Sequence, residues 1–221
     1  MSSLNLHIIL VDMKKLILLL FLIPILSCSQ NRDNRFHDDG VVINGVRWAT
    51  RNVGTTPGTF ADSPEDFGGH FMWNRRPRKR FLTFRYYRGS SASVWQIKND
   101  PCPRGWRVPT AQEVAMLRDY MFAGSRRFEC ARGVTIRSNE GDLFFPFAGL
   151  RKCGTFRISY AGENGFYWTS TMGGQHSHYS NDAVFLMLTR LDWEQFLLPR
   201  TRTSIIGLPP YLGMSVRCVA K

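Results

Sequence analysis

The sequence contains few of the short motifs that identify enzymes and metal-binding proteins. Its 221 residues include no nucleophile elbow, no phosphate loop and no histidine-carboxylate metal motif, and its five cysteines form no CxxC pair. The first three motifs hold a nucleophile, a phosphate group or a metal ion, and CxxC spacing brings two thiolates to one zinc ion. Their absence argues against the common hydrolase, nucleotide-binding and zinc-knuckle classes. We assign no catalytic residue, no metal ligand and no cofactor.

Acidic residues are scarce, since 17 aspartates and glutamates stand against 29 lysines and arginines, a formal net charge of +12. Seven of the basic residues fall within residues 75–88, interleaved with phenylalanines and tyrosines. A cluster of positive charge attracts polyanions. The pattern predicts a polyanion-binding site, and the alternative is a solvated insertion loop. The candidate binding residues are Arg75, Arg76, Arg78, Lys79 and Arg80.

Long apolar runs are absent apart from residues 16–26. That run has 11 residues, whereas a helix needs about 20 to cross a bilayer. Two lysines precede it, and Ser27-Cys28 follows it, which resembles a bacterial lipoprotein signal. We therefore expect Cys28 to become the lipidated, palmitate-bearing first residue. An ordinary signal peptide with an incidental Cys28 is the alternative, and Met13 is a more natural start than Met1.

This signal predicts three parts of the chain and a location. Residues 1–27 are the lipoprotein signal peptide, residues 28–40 are a polar tether, and residues 41–221 are one folded domain. The mature protein is then exported and anchored through its lipid to the outer membrane, on its periplasmic or its surface side. Export makes nucleic acid an unsuitable partner for the basic residues. An anionic glycan, a lipopolysaccharide or an acidic protein fits the same charge.

Four cysteines follow Cys28, and an even number in an exported protein favours disulfides over metal binding. Four cysteines allow three pairings. We favour Cys102–Cys218 together with Cys130–Cys153, which nests a short covalent loop inside a long one. The alternative leaves Cys130 and Cys153 as buried thiols.

Strand and loop patterns dominate, with one clear helix. Asn44-Gly45 suits the type I′ turn of a hairpin over residues 41–48, because both central residues need positive φ. The helix is predicted from Thr110, which forms a capping box with Glu113, to a stop at Gly124. Its apolar face is formed by Val114, Leu117 and Met121.

Five sequence strings together resemble one family of exported bacterial proteins. They are VRWATRNVG (46–54), DPCPRGWRVPTAQEV (100–114), FFPFAGLR (144–151), GFYWTST (165–171) and SVRCV (215–219). In this order they are similar to the Fibrobacter succinogenes major paralogous domain, common in Bacteroidota and Fibrobacterota and often lipid-anchored. A more distant similarity connects it to the C-type-lectin-like, formylglycine-generating sulfatase-modifying fold. The resemblance implies a compact α+β domain, strand- and loop-rich, with one or two helices and paired terminal strands.

The remaining candidates are aromatic, polar and histidine residues. Four tryptophans can either fill the core or stack on glycans, and we favour the core: Trp48, Trp73, Trp106 and Trp168. Beside them, Asn52, Arg107 and Arg151 can hold buried polar networks. His176, His178 and Asp182 can bind a divalent metal, but a solvated loop is the favoured interpretation because no third ligand is fixed by spacing. Lectin-type calcium signatures are absent.

Three classes of function follow. The leading hypothesis is a non-enzymatic, lipid-anchored envelope or surface protein that acts as a binding or adhesion module. The second is a carbohydrate-binding module that uses exposed aromatic residues. The third, remote, is an enzyme of the formylglycine-generating type, which would need a reactive cysteine pair.

Overall fold

Alternation of apolar and polar side chains makes strand the main element of this chain. The computed structural model describes residues 33–76, 92–123, 127–152, 157–173, 182–190 and 203–221. The predicted signal peptide and Cys28 lie outside these ranges. The chain divides into two units after Arg35. The first is described only as a 3₁₀ turn at Asp33–Arg35, and the second, Phe36–Lys221, contains every other element.

The described residues contain fourteen strands, one α-helix and one further 3₁₀ turn. The helix, α1, spans Ala111–Phe122, and the 3₁₀ turn spans Ile97–Asn99. The strands are β1 (Val41–Ile43), β2 (Val46–Asn52), β3 (Phe71–Met72), β4 (Trp106–Arg107), β5 (Arg127–Cys130), β6 (Gly133–Ser138), β7 (Gly141–Pro146), β8 (Leu150–Arg151), β9 (Ile158–Ser159), β10 (Asn164–Met172), β11 (Ala183–Thr189), β12 (Thr203–Leu208), β13 (Gly213–Met214) and β14 (Arg217–Ala220).

These strands form four small antiparallel sheets. The terminal sheet has the order β1-β2-β14-β4, and the short-strand sheet has the order β3-β13-β8-β9. The hairpin sheet is β5-β6-β7, and the central sheet is β10-β11-β12. No helix among the described residues is long and apolar enough to span a membrane.

The predicted α+β class is wrong, because the described chain is mostly β with a single 12-residue α-helix. No helix or strand was predicted between the helix and residue 143, where the structure has β5 and β6. In β6, Val134 and Ile136 are buried while Thr135 and Arg137 between them are not. That period of two is a strand pattern. A single α-helix is too small to form a separate layer beside four sheets.

Strands β10 and β11 of the central sheet contribute buried residues to both faces and divide the core into two clusters. Along β10, Tyr167 contributes to one cluster while Phe166 and Trp168 contribute to the other. Along β11, Leu186 belongs to the first cluster and Phe185 to the second. Successive residues of a strand point to opposite faces, so a continuous apolar run serves both clusters. The first cluster also holds the apolar face of α1, and the second holds most of the tryptophans.

Two local predictions are confirmed. β1 and β2 form the expected hairpin, and Asn44 and Gly45 have φ values of 50° and 77°, as a type I′ turn requires. The Glu113 amide donates to Thr110 Oγ1 at 3.2 Å, and the Thr110 amide donates to Glu113 Oε2 at 2.8 Å. This is the predicted capping box. The helix ends at Phe122, and Gly124 lies outside the described residues.

The terminal strands are joined by hydrogen bonds and by a disulfide. β14 lies between β2 and β4. Cys102 and Cys218 form the predicted bond, which links residues 116 positions apart. Cys130 is an exposed free thiol, and Cys153 lies outside the described residues. The expected Cys130–Cys153 bond is therefore not formed, and the alternative of two buried thiols is wrong for Cys130, which is exposed.

The folded unit includes the last residues of the predicted tether. Asp38 is buried, and its carboxylate accepts hydrogen bonds from the amides of Gly40 and Thr50 at 2.9 and 3.0 Å. Arg51 Nε lies 3.4 Å from Asp38 Oδ2. A buried carboxylate is costly unless it is paired in this way. These contacts hold the chain before β1 against β2.

Arg217 connects the terminal sheet to the hairpin sheet. Its side chain is 1% exposed, and its Nε, Nη1 and Nη2 donate to Asn52 Oδ1, Ala49 O and Phe144 O at 2.9, 3.0 and 2.8 Å. The guanidinium carbon lies 4.7 Å from the centre of the Phe145 ring. Burial lowers the pKa of Arg217 to about 10, so the side chain is still charged at neutral pH.

The Cys102–Cys218 bond should contribute strongly to stability. A cross-link between residues this far apart restricts the unfolded chain, an effect worth up to roughly 4.7 kcal/mol. Cys102→Ser should lower the free energy of unfolding, measured by urea titration, by about 2–5 kcal/mol. Cys130→Ser is the control, since loss of an exposed thiol should change it by less than about 0.5 kcal/mol. Equal stability of the two variants would contradict this contribution.

Candidate functional site

The structure describes the first two residues of the predicted polyanion-binding set. Arg75 is half-buried, its amide donates to Met72 O at 3.3 Å, and its Nη1 lies 3.2 Å from Met72 Sδ. Arg76 is exposed. The other three candidates, Arg78, Lys79 and Arg80, lie outside the described residues. We call residues 77–91 the basic segment and take their described flanks as the start of the site.

Asn74 ties the two flanks of the basic segment together. Its Oδ1 accepts hydrogen bonds from the Gln96 amide at 2.8 Å and from Asn99 Nδ2 at 3.1 Å. Asn99 Nδ2 also donates to Asn74 O at 2.8 Å. Asn74 has φ of 52°, a left-handed conformation that asparagine tolerates better than most residues. The basic segment therefore leaves and rejoins the domain at one place.

Two buried tryptophans lie in the core next to this junction. The Trp73 and Trp95 rings lie 5.6 Å apart, centre to centre. Trp73 Nε1 donates to Thr169 O at 2.8 Å, and Trp95 Nε1 donates to Asn99 O at 3.0 Å. Both indole N–H groups are satisfied inside the protein, as buried tryptophan requires. The flanks are consequently fixed to the central sheet.

The histidine-bearing segment begins beside the same junction. The Met172 amide donates to Ser93 O at 3.0 Å, and Val94 forms a β-bridge with Thr171. The Gly173 amide donates to Asp182 O at 2.7 Å, which closes the ends of residues 174–181. His176 and His178 lie outside the described residues. Among the residues that are described, no group of three histidine, cysteine or carboxylate side chains could hold a metal ion.

His70, which the sequence analysis did not single out, is buried in the short-strand sheet region. Its Nε2 donates to Ala148 O at 2.9 Å, which assigns the proton of the neutral ring to Nε2. Burial lowers the pKa of His70 below its ordinary value of 6.5, and the nearby Arg151 charge lowers it further. An isolated histidine carries no sequence signal, so this environment becomes visible only in the fold.

The predicted aromatic and polar residues are mostly structural. Trp48, Trp73, Trp106 and Trp168 are each at most 8% exposed, so the core interpretation is confirmed for them. Asn52 bonds to Arg217, as a buried network requires. Arg107 forms two hydrogen bonds with Glu113, at 2.6 and 2.9 Å, and lies at the helix start. Arg151 lies beside His70.

No family model, no curated protein and no solved structure matches this chain. Function is therefore inferred from the residues themselves. Their chemistry favours attraction of anions by the basic residues on and between the flanks that Asn74 joins.

The Asn74 side chain should hold the returning flank of the basic segment. Asn74→Gly keeps the positive φ but removes the acceptor for two donors, and should lower the free energy of unfolding by about 1–2 kcal/mol. Asn74→Ala should cost about 1 kcal/mol more, because a β-carbon is strained in this conformation. Asn44→Gly, at another positive φ, is the control. An unchanged hydrogen-exchange rate at the Gln96 amide of Asn74→Gly would exclude this role.

His70 should make the protein less stable in mild acid. The unfolded chain binds a proton near pH 6.5 while the buried ring resists it, so stability is full above pH 6.5 and falls as the pH drops below it. The loss from this residue is at most about 1.4 kcal/mol per pH unit. Urea titrations at pH 7.5 and 5.5 should show a smaller loss in His70→Gln than in the wild type. His37→Gln, at an exposed site, should behave as the wild type does.

Proposed function

We propose that this protein is a non-enzymatic, lipid-anchored component of the bacterial cell envelope that binds an anionic surface polymer through its basic segment. The observation that supports this most is the closed junction at Asn74, Gln96 and Asn99. A strongly basic stretch that leaves and returns at one rigid place can present its charge without disturbing the core. Seven basic residues within residues 75–88 give a local charge suited to polyanions.

We also propose membership of the Fibrobacter succinogenes major paralogous domain family. The residues that resemble the family most closely have structural roles in this fold. Cys102 and Cys218 are bonded, Trp106 is buried beside them, and Thr110 and Glu113 cap the helix.

The anchor in this proposal is Cys28, with residues up to about Arg35 as the tether to the outer membrane. The remaining tether residues, from Phe36 onward, belong to the folded unit. Metabolic labelling with a palmitate analogue should mark the wild type and not Cys28→Ala. Protease treatment of intact cells would then decide between the outer surface and the periplasm.

Carbohydrate binding on exposed aromatic rings is the second candidate. Five of the six tryptophans are described, and all five are buried, so they do not form a stacking platform. Tyr211 and Tyr160 are 39% and 48% exposed and are better placed for this role. Formylglycine-type catalysis is not proposed, because Cys218 is held in a disulfide and a reactive cysteine must be a free thiol.

The basic segment should control binding to a sulfated polysaccharide. Replacement of the flanking Arg76 and of Arg78, Lys79 and Arg80 within the segment by Ser in the detergent-solubilised mature protein should shift elution from a heparin column to clearly lower salt. The control replaces four basic residues elsewhere, Arg47, Arg104, Arg118 and Arg137, by Ser. If both variants elute together, net charge alone explains retention and the proposed site is wrong.

A further inference from the structure

Two asparagines in the chain are followed by glycine: Asn44 precedes Gly45, and Asn164 precedes Gly165. This dipeptide is chemically reactive, because glycine lacks the β-carbon that would shield its backbone nitrogen from the preceding side chain. The nitrogen can attack the asparagine side-chain amide and close a five-membered ring. The two dipeptides are identical in sequence, so any difference in their reactivity comes from the fold.

Asn44 lies in a turn that leaves room for this reaction. Asn44 and Gly45 are both exposed at the tip of the β1–β2 hairpin. A β-carbon placed on Gly45 would meet no atom within 4 Å. Asn44 Nδ2 donates to Met116 O at 3.4 Å, which is longer than the usual range of about 2.7–3.2 Å. The side chain and the glycine nitrogen are therefore weakly restrained and can approach one another.

Asn164 begins β10, where the backbone of the dipeptide is fixed. The Asn164 amide donates to Tyr160 O at 2.9 Å, and the Asn164 carbonyl accepts from the Gly149 amide at 2.8 Å. Gly165 is buried, and a β-carbon placed on it would lie 2.8 Å from Cε2 of Tyr167. Ring closure at Asn164 therefore requires this end of β10 to open first.

Asn139 separates the effect of exposure from the effect of the glycine. It is exposed in the turn between β6 and β7, as Asn44 is in its own turn, but Glu140 follows it. The β-carbon of Glu140 hinders approach to the backbone nitrogen, whereas Gly45 has none. Exposure and a following glycine therefore occur together at Asn44, and each of the other two asparagines has one of these properties without the other.

We propose that Asn44 is a site of spontaneous deamidation with water as the co-reactant, independently of the proposed function. The Gly45 nitrogen loses its proton to solvent base and attacks Asn44 Cγ. A C–N bond forms, and the side-chain nitrogen takes up a proton and leaves as ammonia. Water then opens the cyclic imide at one of its two carbonyls. Opening at one carbonyl gives aspartate, and opening at the other gives isoaspartate, whose main chain runs through the former side chain.

Either product weakens the β1–β2 hairpin. The new carboxylate has no proton to donate to Met116 O. Isoaspartate also adds a carbon to the main chain of a turn that needs two residues with positive φ. β1 lies at the edge of the terminal sheet beside β2, so its pairing depends on this hairpin. Val41 and Ile43 of β1 are buried in the first core cluster, and deamidation loosens their packing.

The test incubates the detergent-solubilised mature protein for weeks and follows each asparagine by peptide mapping with mass spectrometry that separates aspartate from isoaspartate. In the folded protein, Asn44 should deamidate roughly tenfold faster than Asn164 or Asn139, because a protected site reacts only after local opening. The rate at Asn44 should rise from neutral to mildly alkaline pH, since the attacking nitrogen must lose its proton. In urea, Asn44 and Asn164 should react at similar rates.

Asn44→Gly is the matched variant, because two glycines keep the type I′ turn while the reacting amide is removed. After incubation, hydrogen exchange at the amides of β1 and β2 should be faster than in fresh protein for the wild type and unchanged for Asn44→Gly. Equal deamidation of Asn44 and Asn164 in the folded protein, or an Asn44 that reacts only in urea, would overturn the proposed site. Deamidation at Asn44 without faster exchange would show that the hairpin is not weakened.

Discussion

The buried guanidinium of Arg217 is the interaction on which the arrangement of the sheets depends. Arg217 lies in β14 and donates to two acceptors in β2 and one in β7. These hydrogen bonds also hold β14 in place. A charge removed from water must have its hydrogen bonds satisfied. β14, β2 and β7 can therefore come together in few arrangements other than this one, because any displacement leaves a donor without an acceptor.

The neighbouring residues of the closing segment extend this constraint. Cys218 bonds the same strand to the segment before α1. Four residues before Cys218, Met214 ends β13, which lies inside the short-strand sheet between β3 and β8. One short stretch of chain thus belongs to two sheets. The short-strand sheet needs such support, because two-residue strands have few hydrogen bonds of their own.

The flanks of the basic segment are held by contacts with the core. Asn74 and two buried tryptophans fix them to the central sheet, whose strands β10 and β11 are largely buried. Binding residues on loops held by a fixed scaffold are a common arrangement, because loops tolerate sequence change that the core does not. The exposed Arg76 is consequently separate from the residues that stabilise the domain.

Features set by neighbouring residues were predictable from the sequence. The type I′ turn at Asn44-Gly45, the Thr110–Glu113 capping box and the apolar face of α1 depend on contacts within a few residues. The Cys102–Cys218 bond was also predicted, because few pairings exist. The α+β class was wrong, since β5 and β6 add strands that the sequence analysis did not predict and the described residues contain a single α-helix.

What the sequence determined by itself is therefore local: turn, cap, helix face, the excess of positive charge and the residues available for a disulfide. Tertiary structure alone decided which distant residues meet. It buried Arg217, His70 and Asp38, and it placed β13 between β3 and β8. The reason is physical: local patterns specify the conformation of a segment, whereas strand order and register arise from packing and hydrogen bonds between segments far apart in the chain.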